Sequence, residues 1–136
     1  MEEVAFSLKT YKFSKASLDF NIPNNANLTV SFNPIGTYSQ STGVYHLCFD
    51  VLVECKETNS NVIKVTCEAS FEFNQSLKLE EIPVFFYPNS LAILFPYVRA
   101  FVSTLSLQAN VRPVMLPTIN LMGLTETLRK NTSVVD

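Results

Sequence analysis

Tyr45, Leu47, Phe49, Val51, Val53 and Cys55 are apolar and share one parity. After the turn signal Asn59-Ser60-Asn61, the same period returns at Ile63, Val65, Cys67, Ala69, Phe71 and Phe73. Alternation at period two is the mark of a half-buried strand. The opposite side of the second run reads Lys64, Thr66, Glu68, Ser70, Glu72, so one face is apolar and the other meets water or a polar partner. These two runs predict an antiparallel hairpin. Val44, Cys48 and Leu52 make the other face of its first strand less polar, which predicts partial cover there too.

Upstream, Val4, Phe6 and Leu8 share one parity, as do Ala16, Leu18, Phe20 and Ile22, with Tyr11 and Phe13 on the other parity between them. That predicts one strand with a bulge around Thr10 to Ser14, or one that bends and shows its aromatics to a second surface. Pro23-Asn24-Asn25 ends it. Leu28, Val30 and Phe32 predict a short strand before Asn33-Pro34-Ile35-Gly36, with a polar flexible connection over Ser39 to Gly43.

Beyond Gln75 the period lengthens. Leu91, Leu94, Phe95, Val98, Phe101, Val102 and Leu105 recur at three- and four-residue spacing, predicting an amphipathic helix that ends near Asn110. Asn89 or Ser90 is a candidate cap, and Pro96 either opens the helix or kinks it. Pro113 to Pro117 reads as an extended apolar connection, and Ile119 to Leu128 as a shorter helix before a polar tail. Strands first and helices last predict an α+β fold: a four-stranded antiparallel sheet with one long and one short C-terminal helix on one face.

With 136 residues, the chain has material for one core, and residues 1–136 are expected to form a single domain. Its 47% hydrophobic content, 11 Phe and only 16% charged residues exceed what a small core needs, so the surplus predicts oligomerisation or apolar ligand binding. Scattered basic residues and a net charge of −2 argue against a nucleic-acid partner. Ile82 to Val102 is interrupted by prolines, Asn89 and Arg99, which predicts no membrane insertion. No amino-terminal signal pattern is read, and the odd set Cys48, Cys55 and Cys67, without a CxxC pair, fits free thiols in the cytoplasm.

Candidate chemistry is sparse. The single histidine, His46, leaves little for a zinc site, and the strand cysteines read as small hydrophobes. Neither His46 with Cys48 nor Glu80-Glu81 with Asp19 has the arrangement that nucleophilic or acid–base work requires. Three glycines, none in a phosphate-cradling loop, exclude a nucleotide motif. No catalytic residue, metal or cofactor is expected.

One stretch is more specific. Asn89-Ser90-Leu91-Ala92-Ile93-Leu94-Phe95-Pro96-Tyr97-Val98-Arg99 resembles the signature of the SecB export-chaperone family at the start of its long helix. Arg112 to Asn120 looks like that family's apolar segment before its second helix, and Phe6 to Tyr11 with Leu18 to Asn24 resembles its first strand. The resemblance implies an ATP-independent holding chaperone for unfolded polypeptides in protein export, a homotetramer built as a dimer of dimers.

By resemblance, the groove draws on Val65, Cys67, Phe71, Phe73, Val114, Leu116 and Leu121, and the long helix supplies an oligomer interface of Leu94, Tyr97, Val98, Phe101, Val102 and Leu105. For each groove candidate alone, ordinary core is the commoner fate. The resemblance brings two protein partners, SecA or an antitoxin. Uncharged Ser17 and Asn21 stand where the family is usually acidic, which argues against SecA and towards a divergent member serving a toxin–antitoxin pair. An oligomeric interaction protein without chaperone activity, or a carrier of a small apolar ligand, are the other readings of the same surplus.

Overall fold

The structure, a computed structural model, describes residues 3–117 and 121–136. Four antiparallel strands come first: β1 (Phe6–Leu18), β2 (Leu28–Ser39), β3 (Val44–Cys55) and β4 (Ser60–Phe73). Two helices follow, α1 (Phe86–Gln108) and α2 (Leu121–Lys130), and then a short strand, β5 (Thr132–Val134). The sheet order is β1-β4-β3-β2-β5, and β5 lies parallel to β2. The sheet therefore has five strands rather than the four expected. The polar tail over 132–134 carries too few residues for a period-two signal, and its pairing with Gly36, Thr37 and Tyr38 is entirely long-range.

The parity puzzle in β1 resolves into two bulges, one between Leu8 and Thr10 and one between Phe13 and Lys15. Each extra residue flips the side-chain alternation. Phe6, Leu8, Tyr11, Phe13, Ala16 and Leu18 consequently all lie opposite the inward residues of β4, from Phe73 to Ile63. The aromatics do not face a second surface.

β2 runs straight through Pro34, where a break is expected from sequence. Asn131 Nδ2 donates to Pro34 O at 3.1 Å, so the carbonyl of residue 34 points away from β3. A strand residue's N–H and C=O point to the same side, and the donor that proline lacks would face outward, where no β3 bond is lost. The β2–β3 connection is a tight turn over Gln40–Gly43, with Gly43 at φ 72°.

α1 begins at Phe86, earlier than either proline-based expectation, and Pro96 lies inside it. Asn89 and Ser90 are helical residues rather than caps. Pro88 sits in the first turn, where a missing N–H leaves nothing unpaired. Phe86, Tyr87, Ser90, Leu91, Leu94, Val98, Val102 and Ser106 form the buried stripe. At the head of this stripe Phe86 meets Phe6, Tyr45, Phe71 and Phe73 with ring centroids 4.6–5.8 Å apart. Further along, Phe95 packs edge-on to Phe32, and Phe101 stacks on Phe13. By length and composition α1 qualifies as a membrane span, yet this stripe is the placement of a core helix against a sheet.

The end of α1 decides where the chain goes next. Asn110 adopts φ 59°, its N–H donates to Leu107 O, and Val111 N–H donates to Ser106 O. That pair of bonds around a left-handed residue is a Schellman ending, with Asn in the role glycine usually takes. Ser106 Oγ then accepts from Val114 N–H at 2.9 Å, folding the segment 111–117 back beside the helix end.

Candidate functional site

The returning segment faces the β1–β2 loop, and the space between them is a concavity. The loop is shaped locally. Ile22 N–H donates to Phe20 O, and Ala26 N–H donates to Pro23 O, which makes two consecutive turns with Asn24 and Asn25 at the second corner. Asp19 N–H is tied to Val62 O at 2.8 Å. At its far end, Asn27 N–H donates to both Glu57 carboxylate oxygens at 3.1 and 3.0 Å, and this bond holds the Glu57 carboxyl below its ordinary range.

The result is a groove of about 680 Å³. One wall is Phe20, Ile22, Ala26, Leu28 and Val30, and the other is Val111, Pro113, Val114, Met115 and Pro117. Met115 is 62% exposed and Leu28 37%, so water wets the apolar lining. Arg112 is the one charged side chain among the described lining residues. Such a space offers non-directional attraction to apolar matter of many shapes.

Chemistry of the covalent kind finds little support elsewhere. On the outer sheet face, His46 Nε2 lies 3.3 Å from Glu68 Oε1, and Ser70 Oγ lies 3.5 Å from His46 Nδ1. The Glu68 carboxyl is held below its ordinary range by the Ser14 hydroxyl first and by His46 second. These groups are half-exposed on a sheet surface. Burial pushes the Cys48 thiol up, reinforced by Asp50 and Glu68, and pushes Cys67 up to about 11. Raised thiols are the wrong direction for a nucleophile. Among the described residues no group of three or more His, Cys, Asp or Glu side chains is placed to hold a metal.

Of the seven groove residues suggested by resemblance, Val114 lines the concavity. Val65, Cys67, Phe71 and Phe73 are buried on the inner sheet face, and Leu116 is buried as well. Leu121 opens α2, and its side chain lies outside the described residues. Phe20, Ile22, Leu28, Val30 and Met115 also line the concavity and are not among those seven. Their signal was an apolar residue in a turn-rich loop, beside one in a proline-flanked connection.

The helix residues divide similarly. Leu94, Val98 and Val102 face the sheet and are buried within the single chain. Phe101 and Leu105 are half-buried, and Tyr97 is 43% exposed beside Tyr11. The apolar surface left on this side belongs to Val84, Phe85, Ile93, Tyr97 and Leu107.

A family model described as "Preprotein translocase subunit SecB" matches residues 12–131. The chain belongs to the SecB family. A solved structure with this SecB fold is the Mycobacterium tuberculosis Rv1957 SecB-like chaperone in complex with a ChAD peptide from the Rv1956 HigA1 antitoxin. It superposes with a TM-score of 0.69 at 12% identity, over 85% of this chain and 88% of that one. A protein of unknown function from Streptococcus agalactiae covers 86% of the present SecB chain, with 15% identity and a TM-score of 0.48. In sequence, the uncharacterized protein MJ0357 of Methanocaldococcus jannaschii is 50% identical over 46 residues. That stretch spans 34% of this SecB-family chain and 30% of the archaeal protein.

Proposed function

We propose that this SecB-family chain is a holding chaperone that captures unfolded polypeptide without ATP, in the groove between residues 20–30 and 111–117. The observation that carries the reading is the groove itself: a wet, open concavity that sets Phe20, Ile22, Leu28, Val30 and Met115 beside the polar Asn24 and Asn27, with Arg112 the one charge among its described lining residues. Burial there contributes about 25 cal/mol per Å² without demanding one client shape, which suits a promiscuous binder. In this reading residues 1–136 act as one domain in the cytoplasm, the protein performs no covalent chemistry, and it assembles as a homotetramer through the exposed apolar side of α1. Val114 serves the client directly. Val65, Cys67, Phe71, Phe73 and Leu116 serve as core, and Phe71 and Phe73 pack on Phe86 at the end of the sheet remote from the groove.

Between export in general and a dedicated antitoxin client, two observations favour the antitoxin. A solved chaperone of the same fold holds an antitoxin peptide. Ser17 and Asn21 are exposed and uncharged, which weakens a SecA-docking surface there. The test is suppression of aggregation of a chemically unfolded protein by the full chain, with no nucleotide added. Unchanged light scattering at one assembled particle per client chain, together with no binding of unfolded polypeptide, overturns the reading.

A further inference from the structure

Two serines one turn apart on α1 fasten a wall of the groove. Ser106 Oγ accepts from Val114 N–H at 2.9 Å, and Ser103 Oγ donates to Met115 Sδ at 3.3 Å. A thioether sulfur is a weak acceptor with two lone pairs, so this contact occupies one and leaves the other free. Met115 lines the groove, and Ser103 does not. The hydroxyl therefore stands behind the wall, and the free lone pair is on the groove side. Met115 is 62% exposed, so small solutes reach that sulfur. The thiols compete poorly for an oxidant. Cys55 and Cys67 are buried, and burial pushes the Cys48 and Cys67 thiols up, which leaves little of the thiolate that reacts with a peroxide. A thioether needs no ionisation to be oxidised. Met122, on α2, is 82% exposed and is not a lining residue.

We propose that Met115 is an oxidation site through which a peroxide lowers the holding capacity of the groove. This rests on the chaperone reading and adds a control to the same site. The free lone pair of Sδ attacks one oxygen of hydrogen peroxide, the O–O bond breaks, and the departing hydroxide takes the proton of the transferred hydroxyl. Sulfur gives up two electrons, the peroxide is reduced, and the products are methionine sulfoxide and one water. With Ser103 behind the sulfur, the new oxygen is delivered to the groove side. A flexible apolar side chain thereby becomes a polar one, facing the wall of Phe20, Ile22 and Leu28. A client would have to strip water from the S=O group without returning a hydrogen bond, so burial there turns from a gain into a cost. The oxidised sulfur is a stereocentre, and delivery from one side makes one epimer predominate. Methionine sulfoxide is reduced by two enzymes, each specific for one epimer, so the change is reversible.

In the experiment the full chain is treated with hydrogen peroxide, the peroxide is removed with catalase, and oxygen uptake at each methionine is read by peptide mass spectrometry. Labelled, reduced and carboxymethylated α-lactalbumin, a permanently unfolded probe, then reports affinity by fluorescence anisotropy. Oxidation is expected to weaken binding about fivefold, through the lost apolar contact and the buried sulfoxide. Met122→Leu should show the same loss. Met115→Leu, a swap of similar volume, should bind the probe as the natural chain does and lose nothing to peroxide. The reductase specific for the favoured epimer should restore affinity, and Ser103→Ala should yield both epimers in similar amounts. Full oxidation of Met115 with unchanged affinity overturns the proposal and leaves the chaperone reading standing. A loss that persists in Met115→Leu does the same, as does a Met115 that stays reduced while Met122 is oxidised. Failure of the untreated chain to bind the probe overturns both readings together.

Discussion

The Tyr45 hydroxyl and the Thr132 hydroxyl lie 2.5 Å apart, and the direction of their hydrogen bond is fixed by a third group. Thr132 Oγ1 donates to Leu128 O at 2.6 Å, so Tyr45 must donate to Thr132. A core tyrosine of β3 thereby holds both the last turn of α2 and the first residue of β5. Burial keeps this phenol neutral, pushing its pKa well above the ordinary tyrosine value.

Gly36 is the residue that makes room for the contact. A Cβ built there would stand 1.9 Å from the Tyr45 hydroxyl oxygen and 2.9 Å from Thr132 Oγ1. Gly36→Ala is expected to cost about 1–3 kcal/mol, the usual range for an overpacked core. Urea unfolding followed by circular dichroism checks it. Thr37→Ala, on the outward parity beside it, should change the midpoint little.

Phe13 and Phe101 stack with ring centroids 4.0 Å apart and planes 8° from parallel. They join the edge strand β1 to α1. Phe13→Ala and Phe101→Ala are each expected to destabilise the fold, and a double-mutant cycle should return a coupling of about 0.5–1.5 kcal/mol. A coupling of zero would mean that β1 is held to α1 by its other contacts, Phe6 with Phe86 and Tyr11 with Tyr97, and not by this ring pair.

Alkaline pH should weaken the fold in a defined window. The Cys67 thiol ionises near 9.0 when unfolded and at about 11 when folded. Between those values the unfolded chain binds fewer protons than the folded one, so stability falls as pH rises. Tyr45, raised from 10.0, adds to the decline at the upper end. Stability measured at pH 8 and pH 10.5 should differ more for the natural chain than for Cys67→Ala.

Met115 is exposed on the groove wall and carries little of the core. Met115→Glu is expected to leave the unfolding midpoint within about 0.5 kcal/mol, as surface substitutions usually do. It should weaken capture of an unfolded probe by about tenfold, the effect of removing a buried apolar contact and desolvating a carboxylate in its place. Fluorescence anisotropy of a labelled unfolded chain measures it.

The central hairpin was plain in the sequence because twelve apolar residues kept strict parity, and the structure sets them all on one face. β1 was legible only in part. Two single-residue bulges scramble the parity that a straight strand would keep. β2 was cut short at Pro34 because local reasoning cannot know that a proline's missing donor faces outward. The start of α1 was hidden by the absence of a side-chain cap at Phe85, since the helix is held by Phe86 packing rather than by its own end. The groove was the least legible part. Parity marks Val65 and Phe71 as apolar, and it does not say whether a helix of the same chain or a foreign peptide covers them. Phe20 and Ile22 continue the alternation of β1, while two turns bend them into a wall instead.

The parallel pairing of β5 with β2 also constrains the order in which the molecule can be built during synthesis. Asn131 reaches back 97 residues to Pro34, so a ribosome that has released the four early strands has still not delivered the residues that close this side of the sheet. Contacts of such separation form late. Until then the emerging chain carries a longer bare strand edge than the finished protein, and for that interval it is itself the kind of polypeptide a holdase would grip.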